Sequence, residues 1–361
     1  MVHRPISLRE VRQLVRSHTQ IIPQASCTKS GLLRTHTNST SLDLSALSGV
    51  IEYEPTEYTF TALAGTPIQL VNRILEENGQ YLPFDPPLVN AGATLGGTVA
   101  AGLSGPGRYR FGGVRDFLLG IRYVNGEGRL IRGGGKVVKN AAGFDLPKLM
   151  VGSMGQFGVL AELTFKVFPK PESYGTLRID CGDIESAAIM MQTLACTSFD
   201  LDAVELEPPG RLWVRVAGRS DGIEPRLQEI ASFVTHETHV LTATEQDELW
   251  QRIREFAWLE EGWLVKVPIV PSRLTELDAK LADSNVRAWY GVGGNLAWLN
   301  LRDCDSATVG HIHHVLYELS LSGLLVMGKH DQGILGRSIN NAFATRLKQA
   351  MDPEGRFPTP L

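Results

Sequence analysis

The chain has 361 residues, 43% of them hydrophobic and 20% charged, apolar material enough for the cores of two domains rather than one. Its net charge of -4 and isoelectric point near 6.2 exclude an electrostatic attraction to nucleic acid or to an anionic membrane, since either rewards a clustered excess of Lys and Arg. Cys27, Cys181, Cys196 and Cys304 lie far apart and make no C-x-x-C pair or Cys/His set, so neither a disulfide framework nor an iron–sulfur site is readable from them. A reducing cytoplasm is the expected compartment. No apolar run is long enough for a signal-peptide core or a membrane span, so any visit to the inner membrane is expected to be peripheral and through partners.

The chain opens with a helix over Ser7–Arg16, signalled by the capping box Ser7-x-x-Glu10 and the apolar face Leu8, Val11, Leu14 and Val15, followed by a strand at Ile21-Ile22-Pro23. Two more strands are predicted at Val50–Tyr53 and Tyr58–Ala64, on either side of a turn at Pro55. A helix follows, with Thr66 as N-cap, Pro67 in the first position, Gln69 completing the box and Gly79 as the stop. From Asp85 to Gly158 the sequence is glycine-dense, too polar for core and too specific for linker, and is broken by strands at Leu119–Val124 and Arg129–Arg132 around a turn at Asn125-Gly126. It ends in Val159–Pro169, where Leu163, Phe165 and Val167 alternate with Glu162, Thr164 and Lys166 as in a half-buried strand. Pro169-Lys170-Pro171 marks a boundary, giving domains 1–170 and 171–361.

The second domain reads as α+β. Helices are expected near Ile184–Thr197, Glu224–Phe233 and Glu245–Trp258, and strands near Ala203–Leu206, Leu212–Ala217, Val286–Tyr290 and Leu296–Leu301. No internal repeat stands out, which argues against a solenoid.

Closely spaced glycines let backbone N–H groups approach a flat ring or a pyrophosphate and permit positive φ where a loop turns. Three such clusters share the first domain: Thr94-Leu95-Gly96-Gly97-Thr98 running into Gly102–Gly107, then Gly133–Leu146, then Gly152-Ser153-Met154-Gly155-Gln156-Phe157-Gly158-Val159-Leu160, which feeds into the alternating strand. None opens a long amphipathic helix after a first strand with a ribose-binding acid about 20 residues on, so a nicotinamide-binding fingerprint is disfavoured.

The ordered set Leu82-Pro83-Phe84-Asp85-Pro86-Pro87, Thr94-x-Gly96-Gly97, Gly113-x-x-Asp116, Lys139-Asn140-x-x-Gly143-Phe144-Asp145-Leu146 and Gly152-Ser153-x-Gly155-x-x-Gly158 resembles the FAD-binding domain of the vanillyl-alcohol-oxidase/para-cresol-methylhydroxylase (PCMH) superfamily. Within it the chain is most similar to the flavin subunits of bacterial glycolate oxidase and their D-lactate dehydrogenase relatives. By length and by the cap segments Trp289-Tyr290-Gly291 and Leu296-Ala297-Trp298 it looks like the smaller FAD-binding subunit. The resemblance implies an α+β fold, a two-subdomain PCMH-type FAD-binding domain followed by an α+β cap with a C-terminal helix and tail. It implies a noncovalent FAD, with its pyrophosphate at Gln24–Ser30 and its isoalloxazine flanked by Thr94–Gly97, Ala101–Gly105 and Gly152–Val159. The cofactor-binding candidates are Ser26, Cys27, Thr28, Lys29, Pro86, Thr94, Gly96, Gly97, Gly102, Ser104, Gly105, Gly152, Ser153, Gly155, Gly158 and Val159. The family's first loop is usually glycine-rich; here Ser26, Thr28 and the Lys29 charge compensate.

Oxidising an α-hydroxy acid needs a base for the hydroxyl proton, a cation for the carboxylate and the α-C–H aimed at the flavin. Catalytic relatives carry Gly-Asp-Gly-Asn-Leu-His in the cap, and the counterpart Gly293-Gly294-Asn295-Leu296-Ala297 lacks the aspartate and the histidine, so no catalytic residue is assigned. His311, His313 and His314 on a predicted helix read as ordinary surface histidines before they read as a metal pair. His330 and Asp331, after the strand Leu324–Met327, are polar candidates facing the flavin, and Arg108, Arg110 and Arg115 are candidate anion clamps. The tail Arg356-Phe357-Pro358-Thr359-Pro360 departs from the family's Phe-Asn-Pro-Gly ending. The expected function is that of an FAD subunit in a glycolate-oxidising complex, relaying electrons beside a larger, catalytic flavin subunit and an iron–sulfur subunit. Two alternatives stand: a self-sufficient 2-hydroxy-acid oxidoreductase of D-lactate type, and a non-catalytic scaffold.

Overall fold

The computed structural model describes residues 1–33, 39–135, 145–329, 333–338 and 342–359. The chain divides into two compact units, the first made of Met1–Ser104, Gly112–Lys170 and Asn340–Leu361, the second of Gly105–Phe111 and Pro171–Ile339. This departs from a single cut after residue 170 in two places: the C-terminal segment belongs with the first unit, and a short piece of the glycine-dense stretch belongs with the second. Among the described residues no helix is long and apolar enough to cross a membrane.

The first unit begins with the helix Leu8–Ser17, whose N-cap Ser7 Oγ accepts from Glu10 N at 3.3 Å while the Glu10 carboxylate accepts from Ile6 N at 3.0 Å. Its inner face, Val11 and Val15, joins Ile21, Leu42, Leu44, Leu47, Val124, Val159 and Phe357 in one apolar cluster. Strands Val2–His3, Thr40–Asp43 and Ile21–Gln24 lie parallel in that order. A five-stranded antiparallel sheet follows, in the order Val50–Glu54, Thr59–Leu63, Val159–Lys166, Leu118–Val124, Leu130–Gly134. Its central strand alternates as its sequence predicts, with Leu163 and Phe165 fully buried and the Phe165 ring stacked on Phe60 at 5.6 Å.

Two expectations are corrected. The helix expected to be capped by Thr66 runs Ile68–Glu76 with Pro67 at its N-cap and no side-chain cap. Its first amide, Ile68 N, bonds Ala93 O at 2.9 Å, and Thr66 Oγ1 is occupied instead by Leu63 O at 2.6 Å and Gly49 N at 2.9 Å. The glycine-dense stretch is also not too polar for core: Leu88, Ala93, Leu95, Val99, Leu103, Val114 and Phe117 are all buried. Its burial has no side-chain periodicity because it comes from close backbone packing around the short helix Leu95–Ala101, in which a Cβ on Gly96 would stand 2.8 Å from the Ala64 Cβ.

The second unit is a nine-stranded antiparallel sheet ordered Glu237–Val240, Ser173–Asp180, Arg211–Gly218, Ala203–Glu207, Val286–Gly291, Leu296–Leu301, Trp263–Pro268, Ser322–Met327, Ile334–Gly336. One face is covered by the helices Ile184–Ala195, Ser220–Phe233, Leu274–Leu281 and Ser306–Glu318, which supply Met191, Leu227, Leu277 and Ile312 to a continuous apolar core. Strand alternation turns polar and aromatic residues to the other face. There Trp289 Nε1 donates to Glu205 at 2.8 Å, and Glu207 accepts from Arg252 at 2.9 Å and Arg287 at 3.1 Å. The helix Ala243–Arg254, capped by Thr242 and Glu245, brings Trp250 and Arg252 to this face.

Arg215 and Asp202 form an ion pair with side chains 6% and 1% exposed, and the guanidinium stacks on Trp250 at 4.5 Å. Removing one member of a buried pair leaves an uncompensated charge, at a cost of about 3–5 kcal/mol. Asp202→Ala is therefore expected to destabilise the fold by that amount in urea unfolding, and the double substitution Asp202→Leu/Arg215→Met to recover most of it.

Candidate functional site

Three backbone segments of the first unit converge on a cleft. The first leaves the strand Ile21–Gln24 and turns through Ala25–Lys29, with Cys27 at φ +54°, a left-handed conformation that costs a non-glycine residue about 1–2 kcal/mol. A left-handed residue at this point bends the chain sharply around the cleft. The Cys27 thiol donates to Ala25 O at 3.3 Å, and burial, assisted by the Asp43 carboxylate, raises its pKa, keeping it protonated at neutral pH. Lys29 is only 7% exposed and its Nζ donates to Thr28 Oγ1 at 3.1 Å, so a positive charge is held against the loop.

The second segment is the helix Leu95–Ala101, capped by Thr94 Oγ1 accepting from Gly97 N at 3.2 Å. Gly96, Gly97, Ala100 and Ala101 line the cleft, so the wall is nearly bare backbone. The third is the loop of Ser153, Met154, Gly155 and Gly158, running into Leu160. Gly152 N and Met154 N each donate at 2.9 Å, to Val99 O and Ala100 O, which fastens this loop to the helix. A Cβ on Gly155 would lie 3.3 Å from Pro23, so the loop also abuts the first segment.

Of the residues expected to bind cofactor, Ser26, Cys27, Thr28, Lys29, Thr94, Gly96, Gly97, Ser153, Gly155 and Gly158 line this cleft. The others lie outside the lining. Pro86 is buried elsewhere, Gly102 ends the helix and packs against Gly152, Ser104 Oγ accepts from Val114 N at 2.9 Å, Gly105 belongs to the second unit, and Val159 is sealed in the apolar cluster. The lining also includes Pro23, Leu32, Leu33, Leu44, Ala64, Ala100 and Leu160, which sequence reasoning missed. Their only signal is apolarity, which core and cofactor wall share.

Polar candidates elsewhere have definite places. Arg110 pairs with Asp200 at 2.8 Å, His314 with Glu318 at 3.1 Å, and His313 Nδ1 accepts from Gly336 N at 3.2 Å. Among the described residues no three His, Cys, Asp or Glu side chains group to hold a metal. Gly293 and Gly294, both at positive φ, form the turn before Leu296–Leu301, and Ala297 is fully buried on the helix-covered face. Lys266, on Trp263–Pro268, has its pKa pushed down to about 8 by burial and then by Arg108. Lys139, Asn140, Gly143, Phe144, His330 and Asp331 lie outside the described residues.

The cleft matches FAD in its chemistry. A tight polar loop carrying hydroxyls and a buried ammonium suits a pyrophosphate, glycine- and alanine-faced backbone suits a flat ring, and Leu32, Leu33, Leu44 and Leu160 supply apolar wall.

The family model described as "FAD binding domain" matches residues 2–134. The chain is 33% identical to glycolate oxidase subunit GlcE of Escherichia coli, over 97% of this chain and 94% of that protein. It is 33% identical to glycolate oxidase subunit GlcD of Bacillus subtilis over 39% of this chain and 30% of that one, and 29% identical to a mitochondrial D-lactate dehydrogenase (cytochrome) of Saccharomyces cerevisiae over 46% and 28%. Alkyldihydroxyacetonephosphate synthase shares the fold, with a TM-score of 0.72 at 16% identity over 98% of this chain and 76% of that one. The α+β fold of this chain is thus shared with a protein named for a different activity. The end-to-end match, joined to the FAD-binding domain, makes this chain an FAD-dependent oxidoreductase that belongs to the family of the glycolate oxidase subunit GlcE.

Proposed function

We propose that the cleft holds FAD noncovalently, with the pyrophosphate against Ser26–Lys29 and the ring against Gly96, Gly97 and Gly155, and that the chain serves as one flavin subunit of a glycolate-oxidising complex. The observation that carries this reading is the end-to-end similarity to a protein named as a glycolate oxidase subunit. FAD, when bound, supplies the two-electron acceptor that conversion of glycolate to glyoxylate requires. The chain's own residues provide the site: the Lys29 ammonium balances pyrophosphate charge, the Thr94 cap fixes the helix along the ring wall, and the apolar lining excludes water. The four cysteines are free and lack cluster spacing, so onward transfer through iron–sulfur centres is assigned to another subunit, and the main hydroxy-acid site to a larger flavin subunit.

A second reading, oxidation of a small hydroxy acid by this chain alone, is favoured by one feature: the Lys266 ammonium in the second unit lies near enough to Arg108 for their charges to interact, a local positive field that would attract a carboxylate.

Absorption spectroscopy of the chain purified alone separates the readings. The complex-subunit reading expects a flavin spectrum, release of intact FAD on denaturation, and no bleaching by glycolate without oxygen. Bleaching would move oxidation into this chain, and failure to take up FAD would overturn both readings. In flavin titrations Lys29→Met is expected to weaken FAD binding about 10- to 100-fold, the worth of one charge-assisted hydrogen bond.

The Lys266 pKa gives a second test. Because desolvation lowers it from the ordinary 10.5 to about 8, the half-buried ammonium burdens the fold below pH 8, and that burden lifts as pH rises from about 8 towards 10.5. Anion binding runs the other way, since it needs the protonated form. Affinity for oxalate, a carboxylate probe, is expected to be full below pH 7 and to fall as pH rises through 8, with Lys266→Met abolishing the dependence.

A further inference from the structure

We infer that the C-terminal segment is the positioning element of the cofactor cleft: Lys348, Asp352 and Arg356 tie the loop bearing Gly155 to the strand that feeds the loop bearing Lys29. The inference rests on the reading that this cleft holds FAD.

Lys348 lies on the helix Ala342–Met351, and its Nζ donates to Gln156 O at 2.7 Å, Asp352 Oδ2 at 2.6 Å and Phe357 O at 2.9 Å. All three ammonium protons are thereby used. The Asp352 side chain is 0% exposed, and its two oxygens also accept from Arg356 N at 3.0 Å and Phe357 N at 2.9 Å. Arg356 completes the tie from its main chain and its side chain. Its carbonyl accepts from Ile21 N at 2.7 Å, at the head of the strand Ile21–Gln24, and its Nη1 donates to Val15 O at 3.0 Å and to His18 O.

Each end of this chain of bonds is one or two residues from the cleft lining. Gln156 adjoins Gly155, which abuts Pro23, and Ile21 is two residues before Pro23, where the lining begins. A shift of the Gln156 carbonyl or of Ile21 therefore changes the spacing between the two walls. A buried ion pair is a poor source of stability compared with an apolar plug of the same volume, and its best use is to specify one arrangement. Here its donors and acceptors are spent on the backbone of both walls, which is what a spacer requires.

The test titrates the full-length apo-chain with FAD, following flavin fluorescence, for wild type, Lys29→Met, Lys348→Met, and Lys348→Met/Asp352→Asn. The double variant removes both charges but keeps the side chain's shape and an amide oxygen as acceptor for one of the two amides, Arg356 N or Phe357 N. The inference expects each Lys348 variant to raise the FAD Kd at least tenfold and to alter the circular dichroism of the bound flavin at saturation. Asp202→Ala, in the second unit, serves as a control that lowers stability without moving Kd. A change of less than twofold in a folded Lys348 variant, with Lys29→Met still weakening binding, would overturn the inference. No effect from Lys29→Met would overturn the cleft assignment instead. Should neither Lys348 variant fold, hydrogen exchange of the wild-type apo-chain decides: the amides of Met154–Gln156 and of Ile21–Gln24 should open together with residues 348–357, and independent opening would sink the idea.

Discussion

Close approach of backbone to backbone is the constraint on which the first unit rests. A Cβ on Gly65 would stand 1.9 Å from the Leu44 carbonyl oxygen, and one on Gly96 would meet both the Cβ and the carbonyl of Ala64. These absences let the helix Leu95–Ala101 sit against the turn at Ala64–Gly65, and Gly96 N donates to Ala64 O at 2.7 Å because nothing holds the two chains apart. The wall that results is thin, polar by its amides and flat by its lack of side chains. Such a surface suits a planar ring, and a larger residue at either glycine would disturb the packing and the wall together.

The second unit answers a different requirement. Its sheet is apolar on the helix-covered side and carries charges and indoles on the other, where Glu207 is paired with Arg252 and Arg287, Glu205 accepts from the Trp289 indole, and Trp258 stacks on Trp289 at 5.6 Å. A sheet face of this composition is stable only if each charge has a partner, since a buried polar group left unpaired costs about 1–3 kcal/mol. The network therefore fixes the arrangement of this face.

Elements with strong periodicity were legible in the sequence. The alternation in Val159–Lys166 and the capping box at Ser7 both correspond to elements close to where their patterns place them. The strands Ser173–Asp180 and Trp263–Pro268 and the helix Leu274–Leu281 were not foreseen. Trp263–Pro268 holds a lysine in a mostly apolar run ended by proline, and Leu274–Leu281 is barely two turns, too short to establish a period. In the cleft, glycines and hydroxyls announced themselves, whereas Leu44, Ala64 and Leu160 did not, because an apolar wall residue differs from a core residue only by what lies on one side of it. The role of Lys348 was hidden for another reason. Its partners Asp352 and Phe357 are close in sequence, but Gln156 is 192 residues away, and no local pattern encodes that distance.

That distance bears on how the site is assembled. Arg356 and Val15 are bonded across 341 residues, with the second unit inserted between the parts of the first. Loop-closure entropy grows only with the logarithm of length, each doubling adding about 0.6 kcal/mol, so a long insertion burdens the tie little, and less still when the insertion is itself folded. The kinetic consequence is larger. Both walls can form from the first 170 residues, but their spacing is not set until the segment around Asp352 has been made and docked, and contacts of such separation form late. A cofactor that binds only the docked arrangement stabilises it by mass action. FAD uptake and docking of the C-terminal helix are then two faces of one equilibrium, which is why an ion pair remote from any reacting atom belongs to the architecture of the cofactor site.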